Sequence, residues 1–165
     1  MSQDYTLRQW RLGDEESLVR NANNYKIWKN LKDIFPNPYT IEDAGAWVKM
    51  ATDSEETFAI VIDNEAVGGI GILLKEDIYQ KNAEIGYWLG EDYWGKGIIS
   101  SAIPKIVDYT FKKYDIHRIY AGVFEYNLAS MRALEKAGFE KEAILKESLF
   151  KEGHFYDEHI YAKFK

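Results

Sequence analysis

"YWGKGIISSAI", residues 93–103, decides how the rest of the chain is read. Gly95 and Gly97 flank Lys96, and behind them an apolar pattern of helical spacing begins. The run in front, "AEIGYWLG" at 83–90, reads as a strand. A strand that enters a helix through glycines leaves the first N–H groups of the helix without helical partners, and the helix dipole adds about half a positive charge there. Such a turn suits an anion: the glycines let a phosphate approach the backbone, and Lys96 adds a mobile cation. Phosphate or pyrophosphate is the natural ligand class. Taken alone, the same pattern is also that of a tight strand–helix turn with an exposed lysine. The familiar phosphate signatures are missing: there is no G-x-x-x-x-G-K-[ST], and no G-x-G-x-x-G opens a first βαβ unit.

Working outward, "YTLRQW" alternates as a first strand. After a Gly13–Asp14 turn, "EESLVRNANNYKIWKNL" has a helical pattern with Leu18, Ala22 and Tyr25 on one side. Its acidic start suits the helix dipole. "FPNPYT" breaks the chain, because each proline disfavours helix at the residue before it. Thr40 is a fitting N-cap for "IEDAGAWVKMA", with Asp43 at the capping-box position. Three strands follow, "TFAIVID", "AVGGIGILL" and "AEIGYWLG", the first two joined by the turn "DNE". The first two are almost continuously apolar, which predicts burial on both faces. Three strands ahead of the glycine turn rule out an ordinary Rossmann half.

Beyond the turn, Ile99, Ala102, Ile103, Ile106, Thr110 and Tyr114 lie near helical spacing, with Pro104 inside and expected to kink the helix. "HRIYAGVF" is another strand. Asn127 caps "LASMRALEKA", and Gly138 ends it as a C′ glycine. The tail, "FEKEAILKESLF", "KEG" and "HFYDEHIYAKF", reads as a closing hairpin. The order β-α-α-β-β-β-α-β-α-β-β describes an α/β (α+β) fold, a mixed sheet with helices on its faces.

The 165 residues carry no repeat and no low-complexity linker, so a single domain over 1–165 is expected. A net charge of -6 argues against a nucleic-acid partner that needs a broad basic face. An acidic surface suits a cationic partner such as an amine, although acidic proteins are also acidic simply for solubility. There is no cysteine, which excludes disulfides, thiolate metal sites and a cysteine nucleophile. No HExxH or carboxylate cluster suggests a metal, and no G-x-S-x-G elbow suggests a serine hydrolase. The first residues lack the pattern of a signal peptide, and the apolar run at 66–74 is too short to span a bilayer. A cytoplasmic protein with no membrane partner is the expectation, and a homodimer is compatible with it.

"EIGYWLGEDYWGKGIISSAI" followed by "RIYAGVFEYNLASMRALEKAGFEKEA" resembles the GNAT acetyltransferase superfamily. Within it, "PYTIEDAGAWV" and "LFKEGHFYDEHIYA" are similar to the ribosomal-protein N-terminal acetyltransferase branch. The resemblance covers almost the whole chain in the expected order. It implies a mostly antiparallel central sheet in which a parallel strand pair, "AEIGYWLG" and "HRIYAGVF", splays to admit acetyl-CoA. The pantetheine arm would add to the backbone of Tyr87, Trp88 and Leu89. The pyrophosphate would sit on N–H groups of Trp94, Gly95, Lys96, Gly97, Ile98, Ile99 and Ser100. The family's [QR]-x-x-G-x-[GA] signature keeps only Gly97 here: Trp94 stands for the polar residue and Ile99 for the small one. Asn127 would contact the pantetheine, and Ser130 would donate a hydrogen bond to the leaving thiolate.

Acetyl transfer to an amine needs a neutral nucleophile, a donor for the oxyanion and a hydrogen bond or proton for the thiolate. A lysine-like amine has a pKa of about 10.4, so a base or water relay must take its proton. Glu84 is the candidate base: strand alternation sets it on one face with Gly86 and Trp88, and a half-buried carboxylate against aromatics would have a raised pKa. A salt-bridged strand glutamate is the plain alternative. The backbone N–H of Leu89 is the candidate oxyanion donor. The tyrosine that many relatives place before "EK-x-GF" is Leu134 here. His117 reads as structural, Tyr156 and Asp157 as groove-end or surface residues, and Trp28, Phe35 and Tyr39 as pocket or core. The acceptor is expected to be a primary amine on a small molecule or a peptide. A module that binds CoA or a nucleotide without catalysis is the alternative.

Overall fold

A computed structural model describes residues 3–165. The strands are β1 (Thr6–Arg8), β2 (Thr57–Ile62), β3 (Glu65–Leu74), β4 (Asn82–Leu89), β5 (Arg118–Phe124), β6 (Glu140–Lys151) and β7 (His154–Phe164). The helices are α1 (Glu15–Ala22), α2 (Tyr25–Trp28), α3 (Ile41–Ala51), α4 (Ile98–Lys113) and α5 (Leu128–Lys136). The strands hydrogen-bond in the order β1-β2-β3-β4-β5-β7-β6, and β4 with β5 is the parallel pair. This is the expected mixed, mostly antiparallel sheet with flanking helices.

The single helix expected over 15–31 is two. Asn23 leaves the helical region at ψ 72, and its side-chain oxygen accepts the N–H of Tyr39 at 3.0 Å. Asn24 then turns extended and caps α2 by accepting the N–H of Lys26. The Asn24 side chain, bonded to nearby backbone, competes with the helix ladder, and the distant bond of Asn23 to Tyr39 fixes the break before it. Tyr25 consequently points outward at 51% exposure, while Ile27 is buried. Elsewhere the local signals hold. Thr40 and Asp43 form the reciprocal capping box. The "DNE" turn is a two-residue loop, with Asp63 and Asn64 both at positive φ as a type I′ hairpin requires. At the end of α5, Gly138 N–H donates to the Glu135 carbonyl and Phe139 N–H to that of Leu134, a Schellman ending. α4 continues as helix through Pro104.

The chain forms two compact units. One takes the chain to Gly71 together with Tyr87–Ile99. In its core lie Trp10, Leu18, Tyr39, Val48 and Val61, with Phe35, Trp47 and Trp88 packed at the margin. Phe35 and Tyr39 therefore belong to the core here. The expected two-sided burial holds over the central stretches, residues 59–62 of β2 and 66–70 of β3, while Leu73 near the end of β3 is exposed. The other unit takes Ile72–Gly86 with Ser100–Lys165. Its fully buried side chains include Ile103, Val107, Ile119, Leu134 and Tyr161. Among the described residues no helix is long and apolar enough to cross a membrane.

The first unit also carries a partly buried ion pair. Both Arg8 amino groups donate to Asp14, at 2.8 and 2.7 Å, and the Arg11 N–H donates to it at 3.0 Å. Burial pushes the Asp14 carboxyl up, but the Arg8 and Arg11 hydrogen bonds and charges outweigh it and hold the pKa below 3.8. A depressed folded-state pKa stabilises the fold above the unfolded value and loses that contribution as pH falls through the folded one. Asp14→Asn is expected to cost about 1–3 kcal/mol near neutral pH. It should also flatten the drop in urea midpoint on acidification below about pH 4. Parallel acid dependence in both proteins would show that Asp14 is not responsible.

Candidate active site

β4 ends in a structured turn. A short 3-10 segment, Glu91–Tyr93, follows Gly90, whose N–H donates to the Val67 carbonyl at 2.8 Å. Glu91 is tied to α2, accepting from Asn24 Nδ2 at 2.8 Å and from Lys26 Nζ. Those two hydrogen bonds, that of Lys26 first, hold its carboxyl below the usual value. Trp94 then folds back, its indole Nε1 donating to the Leu89 carbonyl at 2.7 Å. This tryptophan stands where the family signature has a polar residue, and it supplies a hydrogen bond from its ring.

Gly95 and Gly97 follow at φ 72 and φ 75, and α4 begins at Ile98. An added Cβ at Gly95 would meet nothing within 4 Å. Its glycine is thus required by the left-handed backbone, and crowding plays no part. Lys96 is exposed, its ammonium 5.3 Å from the Tyr93 ring centre. Ile98 is buried and Ile99 half-buried. Within this unit Tyr87, Trp88 and Leu89 on β4 are thereby joined to residues 94–99 by the Trp94–Leu89 bond. Trp88 packs edge-on against Phe35 at 5.8 Å.

Glu84 lies on β4 in the second unit, opposite Tyr120 of β5. The parallel pairing consists of Asn82, Ala83 and Glu84 against Arg118, Ile119 and Tyr120, while β5 runs on beside β7 to Phe124. An aromatic neighbour was expected for Glu84, and Tyr120 is one. The salt bridge of the alternative reading is also present: Lys75 Nζ donates to Glu84 Oε2 at 2.8 Å, with both side chains a quarter exposed or less. Burial lowers the Lys75 pKa, but hydrogen bonds to Glu84 and Tyr120 outweigh it and raise the net value. Lys75 also lies 5.7 Å from the Tyr120 ring centre, and Arg118 lies 4.7 Å from it. A cavity of about 280 Å3 opens here between Lys75, Tyr79, Asn82, Arg118 and Tyr120. Both of its cations already have carboxylates, Lys75 in Glu84 and Arg118 in Glu142.

Asn127 caps α5, its Oδ1 accepting the Ser130 N–H at 3.3 Å. The cap holds Asn127 just ahead of α5 and Ser130 in its first helical turn. Asp157 accepts from Lys146 Nζ at 2.7 Å and from the Glu147 N–H at 2.9 Å. Both bonds lower its pKa, that from Lys146 most. They pin Glu147 at φ 50, where β6 shifts register. Tyr156 stacks into a cluster with Phe124 and Tyr126. His117 meets the Phe164 ring at 5.5 Å, in keeping with a structural role. The sequence analysis did not name Lys75 as the partner; its N–H donates to the Asn82 carbonyl at 3.1 Å, two residues before Glu84 on β4.

The sequence pattern of the acetyltransferase (GNAT) domain matches residues 4–140. The probable N-acetyltransferase YjcK of Bacillus subtilis is 37% identical over 133 residues, 76% of this chain and 74% of that protein. The fold matches a GNAT-family acetyltransferase from Bacillus anthracis at TM-score 0.85 and 24% identity, over 99% of this chain and 96% of that one. The microcin C7 self-immunity acetyltransferase MccE, solved with acetyl-CoA and AMP, matches at TM-score 0.82 and 28% identity, over 98% and 93%.

Proposed function

The chain belongs to the GNAT acetyltransferase family, and on that premise we propose that it moves an acetyl group from acetyl-CoA to the nitrogen of a primary amine. The observation that carries this reading is the turn at Gly95 and Gly97, two left-handed glycines opening α4 directly behind β4. Such a turn offers backbone donors and a positive helix end to a pyrophosphate. Acetyl-CoA, when bound, supplies an activated thioester. Residues 94–100 would hold its pyrophosphate by their N–H groups, with Lys96 adding charge. Tyr87, Trp88 and Leu89 would hold the pantetheine arm by backbone hydrogen bonds, and Asn127 would contact it.

The remaining roles belong to single groups. Glu84 takes the proton of the acceptor amine, directly or through water. The Leu89 N–H donates to the oxygen that gains charge, and Ser130 donates to the departing sulfur. The acceptor is a small-molecule amine or a protein N-terminus. The ribosomal-protein branch rests on the runs "PYTIEDAGAWV" and "LFKEGHFYDEHIYA".

Release of free CoA from acetyl-CoA, measured over a panel of amines and peptides, tests the reading. Turnover on an amine supports it, and acetyl-CoA binding without turnover on any acceptor would overturn it. Glu84→Gln is expected to lower kcat about 100-fold, within the usual range for a general base, while acetyl-CoA affinity stays within about threefold. The loss should be greatest near neutral pH. A pH–rate profile unaltered by the substitution removes Glu84 from the mechanism.

A further inference from the structure

Three carboxylates of the second unit each have a cation of this chain: Glu84 has Lys75, Glu142 has Arg118 and Asp157 has Lys146. Glu158 has none among the described residues. Its side chain is half-buried, and the hydrogen bond it receives comes from a neutral group, Ser148 Oγ at 3.3 Å. The carboxylate lies flat over β5 at Gly122, where an added Cβ would overlap it. Only glycine at 122 leaves room for that placement.

The same sheet face carries aromatic rings. Phe124 is the cross-strand partner of Glu158, and Tyr156 is two residues before Glu158 on β7, so all three side chains share a face. Phe124 stacks on Tyr126 at 5.1 Å, and Tyr156 meets Tyr126 edge-on at 5.2 Å and Phe124 at 5.9 Å. Farther up β5 on this face, Tyr120 is covered by Lys75 and Arg118. Phe124 and Tyr156 have no lysine or arginine over them among the described residues. A carboxylate without a cation beside aromatic faces without a cation is a seat for a positive charge from outside the chain. Tyr126 leads directly into Asn127 and the first turn of α5, where Ser130 lies.

We propose that Glu158, with Phe124, Tyr126 and Tyr156, binds a cationic group of the acceptor that is not the amine acetylated, so the acceptor carries at least two amine groups. The inference rests on the acetyltransferase reading above. A carboxylate and aromatic faces both favour the charged form of an ammonium, which raises its pKa. The attacking amine must instead be neutral. The cation held here is therefore a second one, and it positions the acceptor.

Two acceptors of equal length separate the terms: butane-1,4-diamine and 4-aminobutan-1-ol, in which a hydroxyl replaces one ammonium. The diamine is expected to have the lower KM by about tenfold to a hundredfold, the worth of a charge-assisted hydrogen bond. Glu158→Gln should raise the diamine KM to that of the amino alcohol, with kcat within about threefold and the acetyl-CoA KM unchanged. Gly122→Ala, which displaces the carboxylate, should act in the same direction, and Glu158→Asp should recover part of the loss. Calorimetric titration with the diamine gives a readout independent of turnover: binding in the wild type that is lost in Glu158→Gln supports the assignment. Equal KM for the two acceptors, or diamine binding that is absent or indifferent to Glu158→Gln, overturns it. Failure of acetyl-CoA itself to bind would overturn the transferase reading separately.

Discussion

A valine at position 97 is expected to raise the acetyl-CoA dissociation constant by at least about tenfold. Gly97 sits at φ 75, a conformation that a β-branched residue adopts only with strain. Holding such a residue there costs roughly 1–3 kcal/mol. The chain can relieve that strain by rotating the peptides around residues 96–98, which turns the proposed phosphate donors away. Each 1.4 kcal/mol lost from binding is about tenfold in affinity. Gly153→Val is the matched control: Gly153 has φ 81 in the β6–β7 turn, is not among the proposed cofactor residues, and a Cβ there meets nothing within 4 Å. It should lose stability and keep its affinity. Titration calorimetry with acetyl-CoA on both variants, alongside thermal midpoints, separates the effects. Unchanged affinity in Gly97→Val would refute the assignment of the loop to the pyrophosphate.

The largest loss of stability is expected from Gly68→Ala. An added Cβ would lie 2.6 Å from the Trp88 carbonyl oxygen, 3.0 Å from Leu89 Cδ1 and 3.2 Å from Leu89 Cα. Two of those atoms are backbone of a neighbouring strand, so no rotamer change relieves the overlap and β3 must move from β4. Overpacking of this kind costs about 1–3 kcal/mol, and more where the main chain cannot give. For a chain of this size 3 kcal/mol lowers the melting midpoint by about 6–12 °C. Gly86→Ala is the control on β4, since its Cβ meets nothing within 4 Å. Turnover should fall too, because Trp88 and Leu89 supply backbone donors in the proposed site. A Gly68→Ala protein with the midpoint of Gly86→Ala would contradict the close approach of β3 to β4.

The order of elements was legible because its signals are local. Apolar period, the Thr40–Asp43 box, the Asp63–Asn64 hairpin and the Gly138 ending each lie within a few residues of sequence. The one misread element, the helix over 15–31, failed for a reason that is partly distant. Asn23 leaves the helix while its side chain binds the backbone of Tyr39, beyond the "FPNPYT" break. The candidate site divided in the same way. Gly95 and Gly97 could be read from the strand–turn–helix pattern, and their positive φ agrees with it. The Trp94 bond to Leu89 could not, since Trp94 read as a departure from the family signature.

By itself, then, the sequence determined the strand and helix succession, the glycine turn and the family, because propensity, capping and turn chemistry act between near neighbours. Tertiary structure alone decided which charges are already matched. It gave Glu84 to Lys75 and Asp157 to Lys146, laid Glu158 over Gly122, and left Glu158 with no lysine or arginine among the described residues. The physical reason is that ion pairing and steric exclusion depend on separations of a few ångströms. Strand register sets those separations, and register is a property of the folded sheet.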